Sequence, residues 1–225
     1  MKFTISIPAY NDSQSLQQLV NEAIALKHAN GLDFDILIID DGSADDTLAV
    51  AKKLKLNHAE ITLISHERNL GFGTTLKEVF TLPKTDWVLF LPGDNQFPVN
   101  NLMLFLPLTY SYDYIIGFRQ LRKDLFHRKF YSFIYNFLLG LLFNVKPQDV
   151  NSIVFFNKSV LRGRDFKSKS AFIHAELYLL MREQGGRIAE IPIVHQERAF
   201  GFGSGGNIKV IINTVIDLIL YCFRK

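Results

Sequence analysis

The fold is decided by the stretch Val88-Leu-Phe-Leu-Pro-Gly-Asp94-Asn-Gln96-Phe-Pro98, in which an apolar run ends in a carboxylate and a carboxamide. Two earlier apolar runs end in the same way, in Ile5-Ser-Ile-Pro8-Ala-Tyr10-Asn11-Asp12 and in Ile36-Leu-Ile-Ile-Asp40-Asp41-Gly42-Ser43. Because the carboxyl ends of parallel strands meet at one edge of a sheet, we expect these polar groups to lie together. An α/β protein holds a phosphate-bearing ligand at such an edge.

The composition is that of a folded domain. The chain has 225 residues, of which 48% are hydrophobic, and this is enough to bury a substantial core. Cys222 is the only cysteine, so no internal disulfide can form, and the start of the sequence does not predict a signal peptide. We therefore expect a cytoplasmic location.

Charge is unevenly distributed along the chain. Residues 1–100 contain 8 Lys/Arg and 13 Asp/Glu, a net charge of −5, whereas residues 101–225 contain 17 and 9, a net charge of +8. The basic half is expected to face an anionic partner, such as nucleic acid, a membrane or a phosphorylated acceptor. The alternative is an ordinary solvated surface.

Short β-branched or aromatic runs alternate with helical patterns over the first 117 residues, which predicts an α/β fold with a mostly parallel sheet and helices on both faces. The predicted strands are 2–7, 34–39, 61–66, 86–91, 113–117, 152–157 and 187–194. The predicted helices are 14–29, 45–56, 73–82, 99–106, 124–143, 172–184 and 207–223.

The helices predicted at 124–143 and 207–223 are apolar but carry a polar stripe at a spacing of four residues. The stripes consist of Asp124, Arg128, Ser132 and Asn136, and of Lys209, Asn213 and Asp217. Neither helix is predicted to span a membrane, which needs ~20 mostly apolar residues. Such helices lie in the interfacial plane of a bilayer, or pack on the domain or on a second subunit.

Several common ligand sites are excluded by the motifs. Gly71-Phe-Gly73 is followed by Leu76 where a dinucleotide fingerprint requires a third glycine, and no Gly-Lys-Ser/Thr sequence is present for a P-loop. The six histidines form no His-x-x-x-His pair and there is no cysteine cluster. A zinc site is therefore unsupported.

The remaining polar groups suit a sugar nucleotide. Asp40 at a strand end can accept hydrogen bonds from the N–H groups of a base, and Tyr10 offers a ring or a hydroxyl to contact it. Asp94 and Gln96 offer hard oxygen ligands for Mg²⁺ or Mn²⁺. Such an ion would connect the protein to a diphosphate and neutralise this group as it leaves.

Taken together, the motifs resemble those of the family 2 glycosyltransferases with the GT-A fold, and most closely those of the dolichyl-phosphate or polyprenyl-phosphate sugar synthases. The resemblance covers nearly the whole chain. Its motifs are Pro8-Ala-Tyr10-Asn11-Asp12, Asp40-Asp41-Gly42-Ser43, Asn69-Leu-Gly71-Phe-Gly73, Asp94-Asn-Gln96, Gly117-Phe-Arg119, Asp149-Val-Asn-Ser152, Glu176, Glu190-Ile-Pro192 and Arg198-Ala-Phe-Gly201. The resemblance implies a GT-A domain over 1–206, with a nucleotide-sugar-binding half (1–117), an acceptor half (118–206) and a C-terminal amphipathic helix (207–225).

The resemblance also implies roles for individual residues. The positions that match nucleotide-sugar contacts are Pro8, Tyr10, Asp12, Asp40, Asp41 and Gly71. Asp94 and Gln96 match the ligands of Mg²⁺ or Mn²⁺, and Arg119 and Arg198 match residues that hold the phosphates of donor or acceptor. Glu176 is the candidate base if the acceptor is a hydroxyl group, and is otherwise a glutamate on a helix surface.

Three positions depart from the family pattern. Pro92 stands where the metal motif has its first aspartate, and Asp12 stands where the first motif has a glutamate. In the loop that begins at Arg198, Ser204 lies one place late and no lysine is adjacent to it.

The implied reaction is a single inverting displacement that moves a hexose from a GDP- or UDP-sugar to a polyprenyl phosphate, by a protein attached peripherally to the inner membrane face. Segment 119–129 has a net charge of +4 beside an aromatic helix, which favours a lipid phosphate. Its aromatic residues cluster on one helical face, so we expect no nucleic-acid partner. The alternatives are a saccharide hydroxyl as acceptor and a GT-A domain that binds without turnover. A homo-oligomer is left open.

Overall fold

The described residues form a seven-stranded, mostly parallel sheet at the centre of the fold. The computed structural model describes residues 1–119, 126–161, 163–198 and 208–223. Across the sheet the strands are β3 (Ile61–Ser65), β2 (Phe34–Asp40), β1 (Phe3–Ala9), β4 (Trp87–Phe90), β6 (Val154–Asn157), β5 (Tyr114–Arg119) and β7 (Ile188–Ile193). Strand β6 is antiparallel to β4 and β5, and the other adjacent pairs are parallel. The predicted strands and α/β class are confirmed.

Helices pack on both faces of this sheet. They are α1 (Ser13–Asn30), α2 (Thr47–Asn57), α3 (Phe72–Thr81), α4 (Leu102–Phe105), α5 (Phe126–Phe143), α6 (Ile173–Glu183) and α7 (Ile208–Phe223). The helix predicted over 99–106 is instead the short α4 between two 3-10 turns, Val99–Asn101 and Leu106–Tyr110. Pro107 lies in the second turn, where it lacks the N–H group that a continuing α-helix would need.

Alternation along the strands divides the core into two layers. Ile36 and Ile38 of β2 lie in the cluster that includes α1, whereas Leu37 and Ile39 lie in the cluster that includes α3 and α6. All four side chains are buried, because each face of the sheet is covered by helices. This explains the continuous apolar run of β2, which the sequence shows without polar alternation.

The strand directions bring the polar segments of the chain to one edge of the sheet. Six of the described strands run in the same direction, since β4 and β5 are both antiparallel to the β6 strand between them. Their carboxyl ends therefore lie beside the amino end of β6. We call this edge the rim. It consists of residues 10–12, 40–43, 92–96, 119, 149–152 and 194–198.

Helices α5 and α7 pack on the domain along one stripe and leave an apolar face exposed. Leu139 of α5 and Leu218 and Tyr221 of α7 are buried. The Tyr221 ring contacts the rings of Phe143 and Phe172, with centroids 5.8 and 5.5 Å away. The exposed face comprises Phe133, Ile134, Phe137, Leu141 and Leu142 of α5 with Ile212, Val215, Ile216, Ile219, Leu220 and Phe223 of α7.

The polar stripe of α7 is partly turned towards the domain. Asp217 accepts hydrogen bonds from the backbone N–H groups of Lys169 and Ser170, both at 2.8 Å. Packing on the domain therefore accounts for one side of the helix and leaves its apolar side uncovered. Within the described residues, no helix combines the length and hydropathy needed to cross a membrane.

Candidate active site

Asp40 ends β2 with one carboxylate oxygen that accepts no hydrogen bond from the described residues. Its Oδ1 accepts hydrogen bonds from the hydroxyl and the N–H group of Ser43. Its Oδ2 is buried and has no hydrogen-bond partner among the described residues. A buried carboxylate oxygen is rarely left unsatisfied, so this atom is the clearest sign at the rim of a missing hydrogen-bond donor.

Asp41, the next residue, is hydrogen-bonded to the segment 66–71 of the protein itself. Its Oδ1 accepts hydrogen bonds from the N–H group of Leu70 and faces Nδ1 of His66, both at 2.8 Å, and its Oδ2 accepts one from the N–H group of Gly71 at 3.1 Å. The side chain is 95% buried. Asp41 matches a nucleotide contact by sequence, but its carboxylate is engaged in holding the loop that precedes α3.

His66 joins this loop to α3. Its Nδ1 lies 2.8 Å from Oδ1 of Asp41, and its Nε2 lies 2.8 Å from Oε2 of a second carboxylate, Glu78. Burial lowers the pKa of His66, but the hydrogen bonds to Asp41 and Glu78 outweigh it, so that the pKa is raised above its ordinary value. The imidazolium form, in which both ring nitrogens donate, is therefore stabilised.

Two glycines adopt left-handed backbone conformations where these loops meet. Gly42 has φ +67°, and a Cβ at this position would lie 2.3 Å from the backbone carbon of Arg68. Gly71 has φ +93° where it begins α3, a conformation that favours glycine. The glycines of two separate sequence motifs thus serve one contact between the segment after β2 and the segment before α3.

The segment after β1 is fastened to the segment after β2. The Asn11 N–H group donates to Ser43 Oγ at 3.0 Å, and Asn11 Oδ1 accepts from the N–H group of Ala44 at 2.8 Å. Pro8 contributes through its carbonyl oxygen, which accepts the N–H group of Gly93 at 3.1 Å. Tyr10 is 41% exposed at the rim. The ring of Tyr10 is thus accessible from solvent at the rim.

Asp94 and Gln96 lie in the turn that follows β4. Asp94 Oδ1 accepts the backbone N–H group of Gln96 at 3.2 Å. The side-chain amide of Gln96 donates to the carbonyl oxygen of Gln196 at 3.4 Å, and the Gln196 N–H group donates to the Gln96 carbonyl at 2.8 Å. The turn after β4 is therefore bonded to the segment after β7.

Arg198 reaches across the rim to two carboxylates. Its Nη2 contacts Oδ1 of Asp12, and its Nη1 lies 3.6 Å from Oδ2 of Asp94. Burial raises the pKa of Asp12 to about 6, although Arg198 opposes this effect. The first motif, the metal motif and the C-terminal arginine, which are far apart in sequence, thus meet at one point.

Asn101 and His195 help to place Arg198. The Asn101 side chain donates to the Val194 carbonyl at 2.9 Å and accepts the Val194 N–H group at 3.2 Å, as a neighbouring strand would. The ring of Phe97 lies 5.1 Å from that of His195. Sequence reasoning missed Asn101 and Gln196, because nothing local distinguishes them from other polar loop residues.

Arg119, at the end of β5, is held by a buried carboxylate. Its Nε and Nη2 donate to Oδ2 and Oδ1 of Asp149 at 2.6 and 2.9 Å. The side chains of Arg119 and Asp149 are only 12% and 5% exposed. A bidentate pair of this kind fixes the plane of the guanidinium group.

Glu176 is not on a helix surface, so that alternative is wrong. It is completely buried in the first turn of α6, and its two oxygens accept the backbone N–H groups of Lys167 and Ser168 at 2.7 and 2.9 Å. With Asp217, it fixes four successive N–H groups of the 167–170 segment. This engagement suits a structural carboxylate better than a general base, which must reach the substrate proton. Glu176 also borders a cavity of about 350 Å³ beside Tyr221, which no rim residue lines.

Comparison with known proteins identifies the family. The sequence profile described as "Glycosyl transferase family 2" matches residues 4–164, which is more than half of the chain. The chain belongs to glycosyl transferase family 2. The prediction made from the motifs is confirmed.

Relatives of this family 2 chain include undecaprenyl-phosphate 4-deoxy-4-formamido-L-arabinose transferases. That of Edwardsiella ictaluri is 27% identical over 220 residues, which are 96% of this chain and 66% of the relative. That of Klebsiella pneumoniae is 28% identical over 224 residues, with 97% and 66% covered. The chain thus spans about two thirds of the length of these relatives.

Solved structures share the fold of this family 2 chain. Glucosyl-3-phosphoglycerate synthase from Mycobacterium tuberculosis, in complex with Mn²⁺, UDP and glucosyl-3-phosphoglycerate, superposes with a TM-score of 0.77 at 15% identity, covering 98% of this chain and 80% of that one. The same synthase in complex with Mg²⁺ and UDP gives a TM-score of 0.72 at 15% identity, with 98% and 79% covered. The predicted GT-A fold is confirmed.

The rim of the family 2 chain offers a small donor set for a metal. The described residues contain no group of three or more His, Cys, Asp or Glu side chains arranged for a metal. The candidate ligands are Asp94 Oδ2, which faces Arg198, and the oxygen of the Gln96 carboxamide. Mg²⁺ is often held by one or two carboxylates together with substrate phosphates and water. The residues present therefore fit an ion that arrives with a diphosphate, and fit poorly to one bound by protein alone.

Proposed function

We propose that this protein is an inverting glycosyltransferase that moves a sugar, such as a hexose, from a GDP- or UDP-sugar to a polyprenyl phosphate at a membrane surface. The observation that carries the proposal is that Asp40, Asp94, Arg119 and Arg198 all lie at or just after the carboxyl ends of strands on one edge of a family 2 fold, where Arg198 faces Asp94. Relatives whose names specify undecaprenyl phosphate supply the acceptor class.

The donor is proposed to lie along the rim with its base beside β2. The buried Oδ2 of Asp40 accepts a hydrogen bond from the base or ribose, and the exposed ring of Tyr10 packs against the same group. The Gly71 loop, held by Asp41, shapes this end of the site. The diphosphate then lies beside Asp94.

Asp94 and Gln96 are proposed to hold Mg²⁺ or Mn²⁺ through oxygen atoms. The bound ion would neutralise the nucleoside diphosphate as it departs. Pro92, in place of a further aspartate, leaves one carboxylate in the turn, so the diphosphate itself must complete the coordination.

The transfer step is a single displacement at the anomeric carbon. A phosphate oxygen of the acceptor forms the new bond as the bond to the donor diphosphate breaks, and the nucleoside diphosphate leaves with the electron pair. No proton moves, since the acceptor phosphate is already ionised, and no general base is needed. The buried position of Glu176, with both oxygens engaged, agrees with a reaction that lacks a base.

The arginines are proposed to align the two phosphate groups. Asp149 orients the Arg119 guanidinium at the end of β5, so the side chain loses little conformational freedom when a phosphate binds. Arg198 approaches from the segment after β7 and faces Asp94. Both positive groups would stabilise the charge that accumulates as the donor bond breaks.

The exposed apolar face of α5 and α7 is proposed to lie in the interface of an anionic bilayer. Phe133, Phe137 and Leu141 follow each other at a spacing of four on α5, and all three are exposed. The basic segment 119–129 begins at Arg119 and lies largely outside the described residues; its sequence supplies attraction to anionic lipid. A lipid acceptor would stay in the bilayer and present only its phosphate.

The test is a transfer assay with purified protein and Mg²⁺ or Mn²⁺. Radiolabelled GDP- and UDP-sugars are offered with undecaprenyl phosphate in detergent, including a UDP-linked form of the sugar named for the relatives. Label extracted into butanol, for at least one donor and only with lipid phosphate present, supports the proposal. Asp94→Asn should abolish the product, whereas Asp35→Asn, at an exposed ion pair with Lys2, should not.

Two outcomes contradict the proposal. Label that appears in a soluble saccharide indicates a hydroxyl acceptor. Nucleotide-sugar binding without turnover, across the donor panel, indicates a binding domain.

A further inference from the structure

Arg198 stands at the place where a divalent ion would be held. We propose that Arg198 is an internal counter-cation for Asp12 and Asp94, that it competes with the divalent ion for these carboxylates, and that it is released towards the phosphates when the ion binds. The inference rests on the proposed metal site at Asp94.

The geometry shows two carboxylates that converge on one cation. Oδ1 of Asp94 is used by the N–H group of Gln96, and Oδ2 of Asp12 is used by the N–H group of Tyr10 at 3.2 Å. The other oxygen of each faces the guanidinium group of Arg198. Each carboxylate thus keeps one oxygen for its own turn and offers the other to a shared positive charge.

Burial makes a cation necessary at this point. The side chains of Asp12, Asp94 and Arg198 are 9%, 17% and 17% exposed, so water screens the two negative charges poorly. Asp45 adds a third carboxylate whose charge acts on Asp12. A divalent ion and Arg198 cannot both be close to Asp94 without mutual repulsion, so binding of one must weaken binding of the other.

The tether of Arg198 allows this exchange. Gln196, two residues earlier, is bonded to Gln96 through both of its backbone groups. The backbone near Arg198 is therefore fixed to the turn that carries Asp94, and a change of side-chain rotamer is enough to move the guanidinium. The displaced group then stays at the rim, beside the diphosphate that entered with the ion.

The presence of Pro92 in the metal motif should make metal binding depend on the donor. With Pro92 in place of an aspartate, the turn has one carboxylate to set against Arg198. The ion is therefore expected to displace Arg198 from Asp94 only when a nucleoside diphosphate supplies additional negative charge. Metal binding and donor binding become coupled, and the protein without donor is expected to bind Mn²⁺ weakly.

The test measures Mn²⁺ binding to the full chain without nucleotide, by electron paramagnetic resonance of the free ion. Arg198→Ala and Arg198→Gln remove the charge, the second with nearly the original length. Both should bind Mn²⁺ about tenfold more tightly than the unaltered protein, because a nearby positive charge is gone. Arg187→Ala, at an exposed pair with Asp113, is the matched control and should change nothing.

Melting temperature gives a second readout that also reports folding. Removing Arg198 leaves two buried carboxylates unneutralised, so Mn²⁺ should raise the melting temperature of Arg198→Gln more than that of the unaltered protein. Addition of Asp94→Asn to Arg198→Gln should cancel the gain in Mn²⁺ affinity. Unchanged or weaker Mn²⁺ binding in both Arg198 variants would overturn the inference, as would a gain that survives Asp94→Asn. Neither result depends on lipid or sugar, so failure here is separate from failure of the proposed transfer reaction.

Discussion

Asp40 and Asp41 are adjacent and chemically identical, yet the structure predicts opposite effects when each is changed to asparagine. Asp40 has a buried oxygen that no described residue contacts through a hydrogen bond and that we propose binds the nucleotide. The Asp41 carboxylate instead forms hydrogen bonds with His66, Leu70 and Gly71. Asp40→Asn should therefore weaken nucleotide binding and leave stability intact. Asp41→Asn should mainly lower stability.

The sizes follow from the contacts. Loss of one hydrogen bond to a charged group costs about 2 kcal/mol, so Asp40→Asn should weaken UDP or GDP binding by roughly 30-fold. Asparagine at 41 places an amide where acceptors are needed and leaves His66 with one carboxylate, at a cost of about 3 kcal/mol. For a chain of this length that corresponds to a fall in melting temperature of roughly 6–12 °C.

Two assays separate the effects. Isothermal titration gives the affinity for UDP and GDP, and urea unfolding followed by the fluorescence of Trp87 gives the free energy of unfolding. Each variant serves as the control for the other, since both replace aspartate with asparagine at adjacent positions. Equal losses of affinity, or a stability loss in Asp40→Asn as large as in Asp41→Asn, would refute the division of roles.

Three further changes test other parts of the structure. His66→Gln should lower the free energy of unfolding more at about pH 6 than at about pH 9. Because the pKa of His66 is raised on folding, its contribution to stability is full below the pKa of the unfolded chain and is lost as pH rises through the pKa of the folded protein. An equal loss of stability at the two pH values would contradict this. Asp149→Asn should cost about 3 kcal/mol of stability and reduce transfer more than nucleotide binding, while Asp113→Asn at its exposed pair should have little effect on either. Phe137→Glu should reduce sedimentation with anionic vesicles about tenfold, whereas Leu56→Glu, on exposed α2, should not; equal effects would remove α5 from the membrane contact.

The sequence predicts well what depends on local pattern. The strand ends that carry Asp12, Asp40 and Asp94 can be predicted because each apolar run is long enough to form a strand and stops at a turn signal. Their meeting at one edge follows from parallel strand order, which the alternation of strands and helices already implies.

What the sequence does not reveal depends on contacts between distant segments. Arg198 meets Asp12 across 186 positions, and it does so through Asn101 and Gln196, whose roles exist only once β7 lies beside β5. The difference between Asp40 and Asp41 likewise depends on the path of residues 66–71. Motif matching treats the two as a pair, because the loop that separates their roles is about 30 residues further along.

A diphosphate and a divalent ion held at Asp94 are the centre of the proposed reaction. The most direct measurement is a crystal structure with Mn²⁺ and UDP or GDP, in which anomalous scattering locates manganese. We predict manganese bound to Asp94 Oδ2 and the diphosphate, the base beside Asp40, and Arg198 moved away from Asp94 towards the phosphates. A complex with the nucleotide bound elsewhere, or with Asp94 still paired to Arg198 and no manganese beside it, would contradict the account.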